Sequence, residues 1–300
     1  MKIRLIAVDM DGTCIDSRHR VPQKNLQALG EALRAGIFVV PATGRTVQSC
    51  PPAVLRLKGI RYFISSNGAR VSDVKRGLTI RQALMPCQAV REFVQGLRGY
   101  GVWIAVHKDD KVWDNNRIPY LHRKWIDAGD PAGSALAVHL DSWLAGQTGG
   151  VEKIQVFFLT EKGRRRTAEL LKRYPDFSCA CSHKYYVEIT AAEASKGQAL
   201  KALCDQLQID AKEVMAIGDS DNDRSMFDYA GYPVAMGNAS KEIKKMAADI
   251  TETNDLCGVA VAVQNVLRDT KSAKRKDVGT FIPLKSRNHE NSHKKSPKSG

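Results

Sequence analysis

The sequence has no apolar run long enough to span a bilayer, so a membrane-crossing helix is not expected. Met1-Lys2-Ile3-Arg4 has the charge that begins a secretion signal, but the apolar stretch behind it meets Asp9 before a signal core can form. The expected location is cytoplasmic. Cysteine is sparse: seven residues, an odd number, at 14, 50, 87, 179, 181, 204 and 257. Only Cys179 and Cys181 are close, and one Cys-x-Cys without a second pair lacks zinc-site spacing. Free thiols in a reducing compartment are expected, rather than a disulfide framework or a zinc centre. Acidic residues are also short, with 32 Asp and Glu against 46 Lys and Arg and a net charge of +14. Half of that excess lies in residues 268–300, where ten Lys and Arg stand against three Asp and Glu. This segment is rich in Lys, Ser, Asn and Pro and has few apolar residues. It cannot bury enough surface to offset its ordering entropy and is expected to be a disordered basic tail. An arm for nucleic acid or anionic lipid is the alternative, weakened by the lack of any base-reading module.

What is present is a chain of 300 residues, 43% hydrophobic, long enough for two units with a sizeable core. Residues 3–9 read as a short buried strand. A helix follows between Pro22 and Gly36, with Leu26, Leu29 and Leu33 on one face. A strand is expected at 37–44, a helix from Thr46 to Leu57, and a third strand at 61–68. This alternation implies a parallel sheet with helices on both faces. It resumes with a helix at 195–208 capped by Ser195, a strand at 214–220, a helix over 221–230, a strand at 233–237 and a closing helix at 258–267. The stretch from 85 to 188 lacks the strict βα repetition and holds all four tryptophans. It reads as an inserted α/β domain that divides the first domain into 1–84 and 189–267.

The opening "IAVDMDGTCID" places Asp9 and Asp11 two positions apart behind an apolar run. In a strand such residues point to the same side, where mutual repulsion opposes ionising both. Open α/β sheets place their binding crevice at the carboxyl ends of the strands. Thr43 and Asp219 also follow strands, and Asp223 comes one turn later in "GDSDND". Four converging carboxylates need a counter-charge, and oxygen-only ligands suit Mg²⁺. An ionised aspartate can attack phosphorus to form an aspartyl-phosphate, and a second carboxyl can serve the leaving oxygen and then the attacking water. Thr43, the Gly44 amide and Lys196 at a helix start offer donors for the phosphoryl charge. Each piece alone is common; their order at strand ends carries the reading.

These residues resemble the haloacid dehalogenase superfamily, and within it the Cof-type sugar-phosphate phosphatases. The resemblance rests on "DMDGT" (9–13), "ATGR" (42–45), "SKG" (195–197) and "GDSDND" (218–223), with "SNGA" (66–69), "VAMGNAS" (234–240) and "GVAVAV" (258–263) as lesser matches. It covers nearly everything from residue 3 to about 267 and implies a Rossmann-like parallel-sheet core with an inserted α/β cap domain. It further implies that Asp9 is nucleophile and Mg²⁺ ligand, that Asp11 is general acid/base with its backbone carbonyl on the metal, and that Asp219 is the third protein ligand. The Met10 amide, Thr43, Gly44, Lys196 and Asn222 become the phosphate cradle, with Asp223 supporting the metal's water shell or Lys196. Arg45 has two readings, as a gate or steering charge for substrate or as an ordinary salt bridge. Asn67 is either a substrate contact or a turn residue tolerating positive φ.

The expected activity is Mg²⁺-dependent hydrolysis of small phosphorylated metabolites. Sugar phosphates lead, followed by nucleotides, flavin mononucleotide and pyridoxal phosphate. A phosphomutase of the same superfamily differs only in passing the phosphoryl group to a sugar hydroxyl. A non-catalytic binding module working through the basic tail is the alternative from another class, and the filled catalytic positions argue against it. Nothing in the sequence decides the oligomeric state.

Overall fold

Short apolar runs that end at turn residues become strands, and amphipathic stretches between them become helices. The computed structural model describes residues 2–125, 133–183 and 185–278. The chain opens with β1 (Leu5–Val8), α1 (Gln23–Arg34), β2 (Phe38–Pro41), α2 (Pro52–Leu55), β3 (Tyr62–Ser65), β4 (Arg70–Asp73) and β5 (Leu78–Gln82). An insertion follows with β6 (Met85–Pro86), α3 (Cys87–Gly96), β7 (Val102–Lys108), β8 (Lys111–Asp114), α4 (Arg117–Trp125), β9 (Ser134–Leu136) and α5 (Leu140–Ala145). It continues through β10 (Gly150–Val151), β11 (Lys153–Phe158), α6 (Glu161–Leu171), β12 (Phe177–His183) and β13 (Tyr186–Ala191). The last stretch holds α7 (Lys196–Leu207), β14 (Val214–Gly218), α8 (Arg224–Tyr229), β15 (Tyr232–Ala235), α9 (Lys241–Met246), β16 (Asp249–Ile250) and α10 (Gly258–Val278).

The first and last stretches build one five-stranded sheet in the order β16-β15-β14-β1-β2, every pair parallel. A parallel bridge from Ala42 to Ile64 sets β3 beside β2, and β3 then begins an antiparallel meander with β4 and β5. Alternation divides each central strand between two apolar layers. Leu5, Ala7, Val40 and Ala216 pack with Leu200, Leu203, Met226 and Phe227 of α7 and α8. Ile6, Val8, Val39 and Ile217 pack on the other face with Leu29 of α1 and Val263 of α10. Residues buried on both faces explain why β1 reads as an unbroken apolar run. The insertion has its own six-stranded sheet, β12-β13-β11-β7-β8-β9, antiparallel except where β8 meets β9. One face of it packs Ile104, Val106, Ile154, Val156 and Ile189 against Phe93 and Leu140 of α3 and α5.

Several expectations need correction. The helix expected over 46–57 is reduced to Pro52–Leu55. Pro51 and Pro52 lack amide hydrogens and keep the residue before each of them out of helical geometry. The Ser49 amide also donates locally to Thr46 Oγ1 at 3.2 Å, in competition with a helix. The helix expected over 221–230 is a 3₁₀ turn at Asp221–Asp223 followed by α8. The hairpin β4–β5 was not expected, and β13 runs through Ala191, past the boundary set at 188. Residues 268–278, expected to be disordered, continue α10 to Val278. They hold no Pro or Gly, and a helix already nucleated by its packed first turns needs only propagation. The rest of the expected tail, 279–300, lies outside the described residues. Among the described residues no helix is long and apolar enough to cross a membrane.

Gly68 sits where β3 gives way to the loop before β4, at φ +90, and a Cβ there would lie 2.1 Å from the Ser195 carbonyl oxygen. Gly77, at φ +64, has nothing within 4 Å of a built Cβ. Gly68→Ala is therefore expected to lower unfolding free energy by more than about 2 kcal/mol, against about 1 kcal/mol for Gly77→Ala, where backbone strain acts alone. Urea denaturation of the two variants beside the parent protein checks the difference.

Candidate active site

The carboxyl ends of neighbouring strands converge here, as expected of an open parallel sheet. Asp9 follows β1, Thr43 follows β2, Asn67 follows β3 and Asp219 follows β14. The register pairs Val8 with Ile217, so Asp9 and Asp219 leave adjacent strands nearly side by side although they are far apart in sequence. Lys196 is the first residue of α7, whose cap Ser195 accepts a hydrogen bond from the Gln198 amide at 3.1 Å. Gly12 is required by close approach as well as by its φ of +79. A Cβ there would stand 2.5 Å from Asp219 Oδ2.

Asp9, Asp219 and Asp223 each bring a carboxylate oxygen within 4.8 Å of the others. Lys196 is fully buried among them. Its Nζ donates to Asp9 Oδ1 at 2.6 Å, to Asp223 Oδ1 at 2.7 Å and to Asn222 Oδ1 at 3.2 Å. Asp223 Oδ2 accepts from the amides of Asp219 and Ser220 at 3.0 and 3.1 Å, so both of its oxygens are engaged. Thr13 Oγ1 donates to Asp219 Oδ1 at 2.7 Å. Burial drives the Asp9 pKa well above its ordinary value. Lys196 opposes this, while the charges of Asp223 and Asp219 add to it. Asp219 is pushed up to about 6, again first by burial, with the Thr13 hydrogen bond opposing and Asp223 adding. Burial would lower the Lys196 pKa, but the Asp223 and Asp9 charges outweigh it and hold the ammonium above its usual range. One ammonium among three carboxylates leaves the cluster short of positive charge. Its donors are all hard oxygens, a set that fits Mg²⁺.

Asp9 and Asp11 do not share the strand face that the sequence leads one to expect. β1 ends at Val8, and the chain turns before Asp11. The Asp11 carboxylate is half exposed and lies outside the cluster, with Arg45 Nε at 2.9 Å from Oδ2 and Arg45 Nη2 at 2.7 Å from Oδ1. Arg45 therefore forms a salt bridge with Asp11. Thr43 is buried and its Oγ1 accepts from the Arg45 amide at 3.1 Å. Asn67 has the positive φ, 58, that its turn role anticipates, and its side chain also joins the site. Its Nδ2 donates to Glu188 Oε2 at 2.6 Å, and its Oδ1 accepts from Asn222 Nδ2 at 3.4 Å.

A cavity of about 350 Å³ opens between the core and the inserted sheet. Asp9, Asp11, Gly44, Arg45, Asp219 and Asn222 line it from the core side. Met10, Thr43, Lys196, Asn67 and Asp223 are buried and do not line it. His107, Lys153, Gln155, Tyr186 and Glu188 line it from the inserted sheet, and sequence reasoning missed all five. A signal was available in "EKIQVFF" and "YYVEIT", where a Lys and a Glu stand inside otherwise strand-like runs. Such charges ordinarily face water. Here a second unit covers them.

A family model described as haloacid dehalogenase-like hydrolase matches residues 6–263. The phosphatase YwpJ of Bacillus subtilis is 31% identical over 291 residues, covering 88% of this chain and all of the relative. The 5-amino-6-(5-phospho-D-ribitylamino)uracil phosphatase YwtE of the same organism is 28% identical, covering 88% of this chain and 98% of that one. A solved haloacid dehalogenase-like hydrolase from B. subtilis superposes with a TM-score of 0.76 at 29% identity, over 87% of this chain and 99% of its own.

The tight turn between β7 and β8 carries the insertion onto the core beside this cavity. Asp109 and Asp110 both take positive φ there, and Asp110 Oδ1 accepts from the Val47 amide at 2.6 Å. Burial pushes the Asp110 pKa up to about 6; the Val47 amide opposes, Glu152 adds and Arg70 opposes. An acid whose folded pKa is raised stabilises the fold fully below its unfolded value, near 4, and that contribution is lost as pH rises through 6. Calorimetry from pH 4 to 7 is expected to show a smaller fall, or a larger rise, of Tm with pH in Asp110→Asn than in the parent protein. Asp219 titrates in the same direction in both proteins, so the difference isolates Asp110.

Proposed function

We propose that this chain, which belongs to the haloacid dehalogenase-like hydrolases and is a phosphatase, hydrolyses small phosphorylated metabolites with Mg²⁺ through an aspartyl-phosphate, sugar phosphates being the leading substrates. The observation that carries this reading is the buried Lys196 held between Asp9 and Asp223, with Asp9 itself on the wall of a cavity that the insertion lines from its other side. The fixed ammonium orients the Asp9 carboxylate and adds positive charge where a phosphoryl group would sit.

In this reading Asp9 attacks phosphorus while the bond from phosphorus to the leaving oxygen breaks. Asp11, on the wall of the same cavity, turns from Arg45 and gives that oxygen its proton. Asp11 then takes a proton from water, which attacks the phosphorus of the aspartyl-phosphate, releases inorganic phosphate and restores Asp9. Thr43, Gly44 and the Met10 amide frame the phosphoryl group, with Lys196 and Asn222 beside it. Asp9 and Asp219 side chains and the Asp11 carbonyl would hold Mg²⁺; Asp223, with both oxygens engaged, serves Lys196 and the loop after β14 instead. When bound, the ion supplies the positive charge that lets Asp9 and Asp219 ionise together and offsets charge on the phosphoryl oxygens.

The insertion acts as the cap of this reading. A cavity of about 350 Å³ suits a metabolite rather than a polymer, and its polar cap-side lining suits a hydroxylated leaving group. The relative named for a phosphoribitylamino-uracil is in keeping with a phosphorylated polyol.

Phosphate release from a panel of sugar phosphates, nucleotides, flavin mononucleotide and pyridoxal phosphate, with Mg²⁺ and with chelator, tests the reading. Turnover is expected only with Mg²⁺. Asp9→Asn should abolish it, and Asp11→Asn should lower kcat by ~10²–10⁴. Turnover that survives Asp9→Asn would overturn the nucleophile assignment, and turnover undiminished by chelator would overturn the metal.

A further inference from the structure

Register places a row of polar side chains on one face of the inserted sheet. Lys153 lies opposite His107 and Gln155 opposite Glu188, while the alternate residues Ile154, Val156 and Ile189 turn into the apolar layer. Lys153 and Glu188 are both buried, and their ion pair measures 2.7 Å from Nζ to Oε1. Burial alone would raise the Glu188 pKa. The Lys153 charge, with hydrogen bonds from Lys153, Asn67 and Gln155, outweighs it and keeps the carboxyl below its usual range.

A buried ion pair is tolerated when its other hydrogen-bonding positions are satisfied. Here two of those bonds cross to the core. Lys153 Nζ donates to the Gly44 carbonyl at 2.6 Å, and Glu188 Oε2 accepts from Asn67 Nδ2 at 2.6 Å. From Asn67 the chain of contacts continues to Asn222, then to Lys196 and to Asp9. An amide side chain donates at one end and accepts at the other. A carboxylate at the Asn67 Nδ2 therefore fixes the Asn67 oxygen toward Asn222 Nδ2. That in turn leaves the Asn222 oxygen for the Lys196 ammonium. Reversing Asn67 would set its oxygen against the Glu188 carboxylate. Gly44 belongs to the same construction, because a Cβ there would stand 2.8 Å from Asn67 Oδ1.

We propose that Glu188, held by Lys153, is a positioning residue for the hydrolysis: seated on the core, it sets the polarity of Asn67 and Asn222 and thereby places the Lys196 ammonium against Asp9. The inference rests on the phosphatase reading and adds to it a route by which seating of the insertion reaches the reacting groups. Lys153 also ties the same seating to Gly44 in the phosphate cradle.

The test is a double-mutant cycle of Glu188→Gln and Asn67→Gly, the glycine keeping the positive φ, with kcat and KM measured on p-nitrophenyl phosphate with Mg²⁺ and folding followed by thermal melts. Glu188→Gln is expected to lower kcat by about tenfold to a hundredfold while KM moves by less than about threefold, the mark of misplaced reacting groups. The double variant should be no slower than the slower single one. Effects that multiply, an unchanged kcat, or a change confined to KM would each overturn the proposal. If Glu188→Gln does not fold, Lys153→Met takes its place in the cycle with the same expectations. Parent protein that fails to turn over this ester and every member of the metabolite panel overturns the phosphatase reading and the inference with it. Active parent protein with unaffected variants overturns the inference alone.

Discussion

Everything at this site depends on gathering Asp9, Asp219 and Asp223 around one buried ammonium. Three carboxylates within a few ångströms repel one another, and burial removes the water that would screen them. Lys196 offsets part of that charge, and the backbone amides of Asp219 and Ser220 fix one oxygen of Asp223. The arrangement holds only because β1 and β14 are neighbours in a sheet buried on both faces, so the loops that leave their carboxyl ends have little freedom. In the proposed function, the remaining shortage of positive charge is what suits this strand end to a cation and a phosphoryl group rather than to a structural ion cluster.

The core of this construction was legible in the sequence because it is local. A short apolar run followed by Asp9, another followed by Thr43 and a third followed by Asp219 each announce a strand end, and Ser195 announces the start of the helix that carries Lys196. What depended on backbone detail was less legible. The orientation of Asp11 turns on where β1 stops, and a run from Ile3 to Asp9 does not show that the ladder ends at Val8 and the chain turns. The helix after β2 failed because Pro51 and Pro52 outweigh the apolar spacing of Val47, Val54 and Leu57. The extension of α10 through 268–278 was missed because composition was averaged over the whole tail. Propagation from a packed helix needs only a stretch free of breakers.

The cavity-facing side of the insertion was not legible for a different reason. Alternation of apolar with polar residues identifies a half-buried strand, and in β11 it correctly separates Ile154 and Val156 from Lys153 and Gln155. It does not tell whether the polar side meets water or another unit of the same chain. Lys153 and Glu188 stand out only as charges inside strand-like runs, which is also the pattern of a solvated face. They are buried where loops of the core, at Gly44 and Asn67, meet them. Which charges are covered is a property of the two units together, and no window of sequence contains both.

That polar contact has a consequence for how the insertion can work. An apolar interface gains roughly 25 cal/mol for each Å² removed from water and favours staying shut. A contact made of Lys153 with Gly44, Glu188 with Asn67, Asp110 with the Val47 amide, and Arg70 and Ser66 with Glu152 exchanges water hydrogen bonds for protein ones, so the net gain per bond to a charged group is about 1.5–3 kcal/mol. Seating is therefore specific in geometry, because each bond sets one donor against one acceptor. The ion pair contributes specificity more than stability. In the proposed role it would define the seated position in which Asn67 and Asn222 are directed toward Lys196, because removing either charge leaves the other buried and unpaired.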